Sequence, residues 1–273
     1  MKKIQALLEA MWVDYLELNP EARSIYQLFT ERNNGDVVND HIALRTFNIG
    51  KVCIDVIAQP FIQSGYVASG EYHFEEKKLF ARHYQHENST LPKIFISELL
   101  VDKLSQTTQK TISDLVGQLD DAAVKQDNFC FSGRPWQLSY ASYQQLLLES
   151  EYAAWMAAFG YRPNHFTVLV NELTFCSSLE LVNQLLVEKG FSLNQSGGLI
   201  KGTPALLLEQ SSTMANNSKV TFSDQDIEVP SCYYEFARRY PQADSMLYQG
   251  FISSSADKIF ESTNSKLADK VER

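Results

Sequence analysis

The chain predicts an α+β protein: paired βαβββ modules around a mixed sheet, with an N-terminal helix and a helical insertion between the modules. Three observations carry this. A phrase occurs twice, as Asn39-Asp40-His41-Ile42-Ala43-Leu44-Arg45-Thr46-Phe47 and as Pro163-Asn164-His165-Phe166-Thr167-Val168-Leu169-Val170-Asn171, each setting a histidine at the mouth of an alternating strand. Each copy then runs into an apolar helical stretch ending in glycine plus an aromatic, Gly65-Tyr66 and Gly190-Phe191, so the histidine-to-glycine spacing is 24 and 25. Strand-like segments follow in both copies. Repetition at matched spacing marks one supersecondary unit that pairs with its twin. Two sheets facing each other would bring His41 and His165 together.

The 273 residues read as a single domain in successive zones. Residues 2–31 carry Ile4, Leu7, Leu8, Met11, Trp12, Tyr15 and Leu16 at helical spacing, broken near Asn19-Pro20. The first module, 36–99, holds the His41 strand, a helix near 51–64, and strand-like segments at Tyr72-His73-Phe74, Lys78 to Tyr84 and Lys93 to Ile96. Residues 100–160 form the helical insertion, with Tyr143 through Phe159 as its second helix. The second module, 163–240, repeats the first with a helix over 178–189 and strands at 203–210, 219–223 and 231–237. Asn33-Asn34-Gly35, the stretch from Asn128 to Pro135 and the polar run from Ser211 to Ser218 read as linkers. Residues 241–273 form a C-terminal segment whose last ten residues are polar and are expected to fray.

Composition narrows the function classes. Lys plus Arg is 24 and Asp plus Glu is 33, so the net charge is 24 minus 33, or -9. An acidic chain repels phosphate backbones, and its local basic runs, Lys77-Lys78 and Arg238-Arg239 among them, are slight; no nucleic-acid partner is expected. Four scattered cysteines without a CxxC pair argue against a disulfide framework or a thiolate metal site. Glu9 and Asp14 interrupt the N-terminal apolar run, and no stretch approaches a membrane span, so no membrane partner is expected and the cytoplasm is the expected compartment. Neither a phosphate-binding glycine pattern nor a Gly-x-Ser-x-Gly elbow occurs, which leaves nucleotide use and serine hydrolysis unsupported.

Strand alternation gives the repeat chemical meaning. His41, Ala43, Arg45 and Phe47 share one face, with the Cα atoms of His41 and Arg45 roughly 13 Å apart at about 3.3 Å per residue. In the second copy His165 and Thr167 share a face. Glu235 lies within the aromatic strand Tyr233-Tyr234-Glu235-Phe236-Ala237, where an unpaired carboxylate is costly and needs a cation, a metal or a proton. A single strand histidine is ordinarily structural, but two at equivalent repeat positions beside a buried glutamate form a ligand set. Two imidazoles and one carboxylate make the facial triad of non-haem Fe(II) oxygenases, which leaves positions open for a chelating substrate and O₂.

Several residues carry the resemblance to a known family. Asp40-His41-x-Ala43-x-Arg45-Thr46-Phe47, Asn164-His165 and Tyr234-Glu235-Phe236-Ala237-Arg238-Arg239 resemble the 2-oxoadipate dioxygenase/decarboxylase family, also called hydroxyglutarate synthase, of the vicinal oxygen chelate superfamily. Tyr72-x-Phe74-x-x-Lys77, Ser97-Glu98-Leu99 and Ser255-Ala256-Asp257-x-Ile259-Phe260-x-Ser262 extend the match over residues 36–262, in a chain shorter than many members. The resemblance implies that His41, His165 and Glu235 hold Fe(II), that His41 and His165 border the substrate, and that Arg45, as the catalytic arginine, grips a substrate carboxylate. It also implies that the backbone near Ser254 touches the substrate. The implied reaction takes the 2-oxo acid 2-oxoadipate and O₂ to 2-hydroxyglutarate and CO₂.

Alternatives stand beside this reading. A metal-dependent isomerase or lyase would use the same module pair with Ni or Zn, and a non-catalytic small-molecule binder would use the cleft without metal, though it has no need of the triad. Glu98 lies near the end of the first module, about where Glu235 lies in the second, and reads as a fourth ligand or, in preference, as a partner for a ligating histidine or a helix N-terminal group. His73, His83 and His86 lack equivalents in the second copy and read as surface or supporting residues.

Overall fold

A computed structural model describes residues 2–33 and 35–263, so Asn34 of the first linker and the polar residues from 264 onward lie outside the described residues. Ten strands follow the chain: β1 (Asn39–Phe47), β2 (Tyr66–Phe74), β3 (Leu79–His86), β4 (Lys93–Leu99), β5 (Pro163–Leu169), β6 (Lys201–Thr203), β7 (Leu208–Ser212), β8 (Asn217–Thr221), β9 (Asp226–Pro230) and β10 (Tyr233–Arg239). Eight form one mixed sheet in the order β2-β3-β4-β1-β5-β10-β7-β6, and β8 and β9 form a separate hairpin.

The repeat is visible in this order. β1 runs parallel to β4, as β5 does to β10, and the two modules meet where β1 and β5 pair antiparallel. The modules therefore join edge to edge in one continuous sheet rather than as two facing sheets. Joining them this way satisfies the backbone donors and acceptors along β1 and β5 that facing sheets would leave open.

Helices cover the face opposite the two histidines. Lys2–Leu18 and Pro20–Asn33 are two helices, broken at the expected Asn19-Pro20. Pro20 tolerates the first helical position because that N–H has no intrahelical partner, and Asn19 Oδ1 accepts the Ala22 N–H at 3.1 Å. Trp12 packs 4.9 Å from the ring of Phe166, and the Tyr15 hydroxyl donates to the Tyr233 carbonyl at 2.7 Å, fixing this helix behind β5 and β10. Glu151–Phe159 and Ser253–Phe260 lie on the histidine side instead, where they line the spaces beside Arg45 and the histidines.

Several expected elements differ in detail. The helix expected near 51–64 is two short turns, Ile54–Ile57 and Gln59–Ile62, divided at Ala58 just before Pro60. The helix expected over Tyr143–Phe159 is Tyr140–Glu149 and Glu151–Phe159, because Ser150 leaves helical geometry and its hydroxyl caps the Ala153 N–H. The strand expected at 203–210 is interrupted by a 3₁₀ turn at Pro204–Leu206, with Leu207 at a φ of 63°. The strand expected at 219–223 belongs to the β8–β9 hairpin and stands outside the module, while the supposed linker residues Ser211 and Ser212 end β7. Polarity misled there, since both serines are buried and hydrogen bonded.

Candidate metal centre

Three consecutive strands of the sheet supply the site: His41 from β1, His165 from β5 and Glu235 from β10. One ligand atom from each lies within 4.8 Å of the others, and all three residues are buried. His165 Nε2 stands 3.1 Å from Glu235 Oε2, and His41 Nε2 stands 3.6 Å from Oε1. The imidazoles meet nearly at right angles, 84°, with centroids 5.5 Å apart.

A pair of bulges makes this geometry possible. The β1–β5 register pairs Asn39 with Val168 and His41 with Thr167, so Asp40 is an extra residue on β1; Ala43 pairs with His165 and Leu44 with Pro163, so Asn164 is an extra residue on β5. A bulge breaks the alternation that would send neighbouring side chains to opposite faces. Each histidine is thus bonded from behind by the residue before it: His41 Nδ1 to Asp40 Oδ2 at 2.8 Å, and His165 Nδ1 to Asn164 Oδ1 at 3.1 Å. Both acceptors place the ring proton on Nδ1 and leave Nε2 as a lone pair, the tautomer a metal ligand requires.

The electrostatics point the same way. Burial by itself would raise the Asp40 carboxyl, but the charges of Arg239 and Lys93 and the hydrogen bonds from Arg239 and His41 outweigh it and hold it well below the usual range. Burial, then His41 and Arg45, keep His165 well below the ordinary imidazole value, so it is neutral. Burial raises Glu235, opposed by His41 and by Gln210, whose Nε2 donates to Oε1 at 2.6 Å. Glu235 Oε2 is buried with no hydrogen-bond partner, directly opposite the His165 lone pair. Two acceptors face each other 3.1 Å apart, an arrangement that a divalent cation resolves.

The parallel registers also identify the residue equivalent to Glu235 in the first module. Ala43 pairs with Phe95 on β4, and Thr167 pairs with Glu235 on β10, each two residues beyond the repeat histidine. Phe95, not Glu98, therefore occupies the matching place and lines the metal-side pocket. Counting from module ends misplaces Glu98 because β10 continues to Arg239. Glu98 lies on the helix-covered face, where its Oε2 accepts the Ile54 N–H at 2.9 Å at the start of Ile54–Ile57.

Arg45 is buried, with its guanidinium 4.9 Å from the Tyr152 ring and 4.8 Å from that of Trp155, and its Nε and Nη1 have no partner. Ser254 is exposed in the first turn of Ser253–Phe260; that helix reaches the metal-side pocket through Ala256, Ile259 and Phe260. His83 is buried between Tyr72, whose hydroxyl lies 2.9 Å from Nδ1, and Gln85, 2.8 Å from Nε2. His86 bonds locally to the Ser64 carbonyl at 3.1 Å. His73 packs beside Phe80. Sequence reasoning passed over Asp40 and Asn164 as supports, although each precedes a repeat histidine, and it passed over Gln210, Arg239 and Phe251. The Phe251 ring stands edge-on to His41 at 4.8 Å, and nothing local in the sequence marks it.

Paired βαβββ modules in one sheet are the fold of glyoxalase-type proteins. A glyoxalase-superfamily protein from Ralstonia eutropha shares this fold alone, at 20% identity and a TM-score of 0.73 over 90% of this chain and 85% of that one. The chain belongs to the 2-oxoadipate dioxygenase/decarboxylase family, whose model matches residues 3–243. The 2-oxoadipate dioxygenase/decarboxylase, chloroplastic, of Arabidopsis thaliana is 35% identical over 95% of this chain and 77% of its own length. The hydroxyglutarate synthase of Oryza sativa, solved in complex with 2-oxoadipate, is 34% identical with a TM-score of 0.88, covering 99% of this chain and 94% of that one. A Shewanella frigidimarina protein with a provisional hydrolase description is 54% identical with a TM-score of 0.89, covering 92% and 98%. This chain is thus an enzyme of that family with a candidate metal site. Among the described residues, no helix is long and apolar enough to cross a membrane.

Proposed function

We propose that the protein is an Fe(II)-dependent dioxygenase/decarboxylase that converts 2-oxoadipate and O₂ to 2-hydroxyglutarate and CO₂. Family membership supports the reaction, and the observation that carries the site is the buried, unpartnered Glu235 Oε2 set 3.1 Å from His165 Nε2, with His41 Nε2 3.6 Å from the other carboxylate oxygen. His41, His165 and Glu235 would hold the metal, which when bound supplies an anchor for a 2-oxo acid and activation of O₂.

The remaining work falls to this chain's own groups. Asp40 and Asn164 hold Nδ1 of the two rings, which turns both Nε2 atoms toward Glu235. Gln210 fixes one oxygen of Glu235 and leaves the other for the metal. Phe95, Phe251 and Ile259 line the ligand side and leave it little room for water, which strengthens each electrostatic contact there. Arg45 offers a planar fork to a substrate carboxylate, a fit that lysine does not reproduce. The exposed side chain of Ser254 leaves its backbone as the proposed substrate contact. The cytoplasmic assignment rests on the sequence, and the Arabidopsis relative is named as chloroplastic.

Oxygen uptake by anaerobically iron-loaded protein on adding 2-oxoadipate tests the reading, with CO₂ and 2-hydroxyglutarate quantified. One equivalent of each product per O₂ is expected. An iron-loaded protein that turns over a 2-oxo acid without consuming O₂ is an isomerase or lyase instead.

A further inference from the structure

Two spaces adjoin the site. One, about 20 Å³, lies against His41, His165 and Glu235, which is room for about one water molecule. The other, about 220 Å³, opens over Arg45 and Tyr152. Phe260 borders both. It ends the helix Ser253–Phe260, its ring lies 5.7 Å from the Arg45 guanidinium, and it packs edge-on against Phe74 at 5.5 Å.

Arg45 is only 4% exposed, and two of its donors, Nε and Nη1, are buried without a partner. Unmade hydrogen bonds from a buried cation are costly, and a carboxylate satisfies them in parallel. Glu151 interacts with Arg45 by charge, but its Oε1 accepts the Thr263 hydroxyl at 2.7 Å, and Arg45 Nε and Nη1 still have no partner. The room beside the ligands cannot hold a dicarboxylic acid, whereas that room joined to the Arg45 chamber can.

We infer that Phe260 is the partition that sets which length of 2-oxo dicarboxylate the enzyme accepts. With its ring turned aside, the two spaces become one passage, the 2-oxo end lying at the metal ligands and the far carboxylate on Arg45. The ring then closes on the intervening methylenes, so a chain of the wrong length leaves Arg45 unmet or Phe260 unseated. This inference rests on the 2-oxo acid reading above.

The test compares kcat/KM for 2-oxoglutarate, 2-oxoadipate and 2-oxopimelate in wild type, Phe260→Ala and Phe260→Leu, each loaded with iron and assayed for bound iron. Calorimetry with glutarate, adipate and pimelate on the metal-free proteins gives a second, turnover-independent readout. Wild type should favour the six-carbon acid. Phe260→Ala should shift the 2-oxopimelate to 2-oxoadipate ratio upward by about tenfold or more, the scale of one methylene in an apolar pocket, with iron content unchanged. Phe260→Leu should fall between them, and it serves alone if the alanine variant does not fold. An unchanged ratio in variants that hold iron overturns the inference. If wild type consumes O₂ with none of the three acids, the 2-oxo diacid reading fails instead, and the partition is then judged by whether the variants change the length preference in calorimetry.

Discussion

Arg239 grips Asp40 through two bonds, Nε to Oδ1 at 2.6 Å and Nη2 to Oδ2 at 2.8 Å, although the residues lie 199 positions apart. Asp40 in turn holds the back of His41, while Arg239 Nη1 donates to the carbonyls of Tyr248 and Gly250, both at 2.8 Å. One arginine thus orders a candidate ligand and the loop that carries Phe251 over it.

Arg239→Ala should leave the buried Asp40 carboxylate with only Lys93 and the His41 ring as partners. Metal affinity should fall about 10–100-fold, as for other supports of a ligating histidine, and stability should fall by about 3–5 kcal/mol. Chelator competition and urea unfolding measure the two effects separately. Unchanged affinity would show that Asp40 orients His41 without Arg239.

Ligand and substrate roles separate by mutation. His165→Ala should abolish metal retention, whereas Arg45→Ala should retain metal and raise KM for 2-oxoadipate, with Arg45→Lys a poor substitute. Metal analysis alongside steady-state kinetics checks both. Retained iron with full activity in His165→Ala would sink the assignment.

Glu98→Ala should behave differently. Losing the bond to the Ile54 N–H should cost about 1 kcal/mol, typical of a helix N-terminal acceptor, while leaving metal affinity unaltered. Thermal melts and metal titration on one preparation decide it, and weakened metal binding would contradict the placement of Glu98 away from the site.

Acid sensitivity should come in part from His83. Burial first, then the charges of Arg239 and Lys93, lower it to about 4 from 6.5. Between those values the unfolded chain binds a proton that the folded chain refuses, so stability is complete above about 6.5 and declines as pH falls toward 4. The full contribution is about 3 kcal/mol. Urea unfolding of metal-free wild type and His83→Gln from pH 4 to 7 should show a flatter acid limb in the variant; parallel limbs would exclude the residue.

Much of this was legible in the repeat. His41 and His165 share a phrase, and strand alternation set Arg45 on the same face. Glu235 stood out as an acid among aromatics. What alternation cannot show is a bulge, because one extra residue changes which side chains are neighbours without changing composition. Asp40 and Asn164 were hidden for that reason. Phe95 was hidden by register, which depends on pairing between distant segments, and Arg239 by a contact that only the closed sheet creates. The β8–β9 hairpin took a place expected within the module because a short polar–apolar alternation looks the same inside a sheet or beside it.

The seam between β1 and β5 bears on inheritance as much as on chemistry. Each copy of the repeat, severed from the other, keeps only part of the ligand set: the first would carry His41 with Phe95, the second His165 with Glu235. Neither fragment encloses a centre, so the reactive unit arises only from the union of duplicated halves. Their divergence at one equivalent position, phenylalanine against glutamate, makes the union lopsided, and a metal held there would draw one carboxylate from the second half and none from the first.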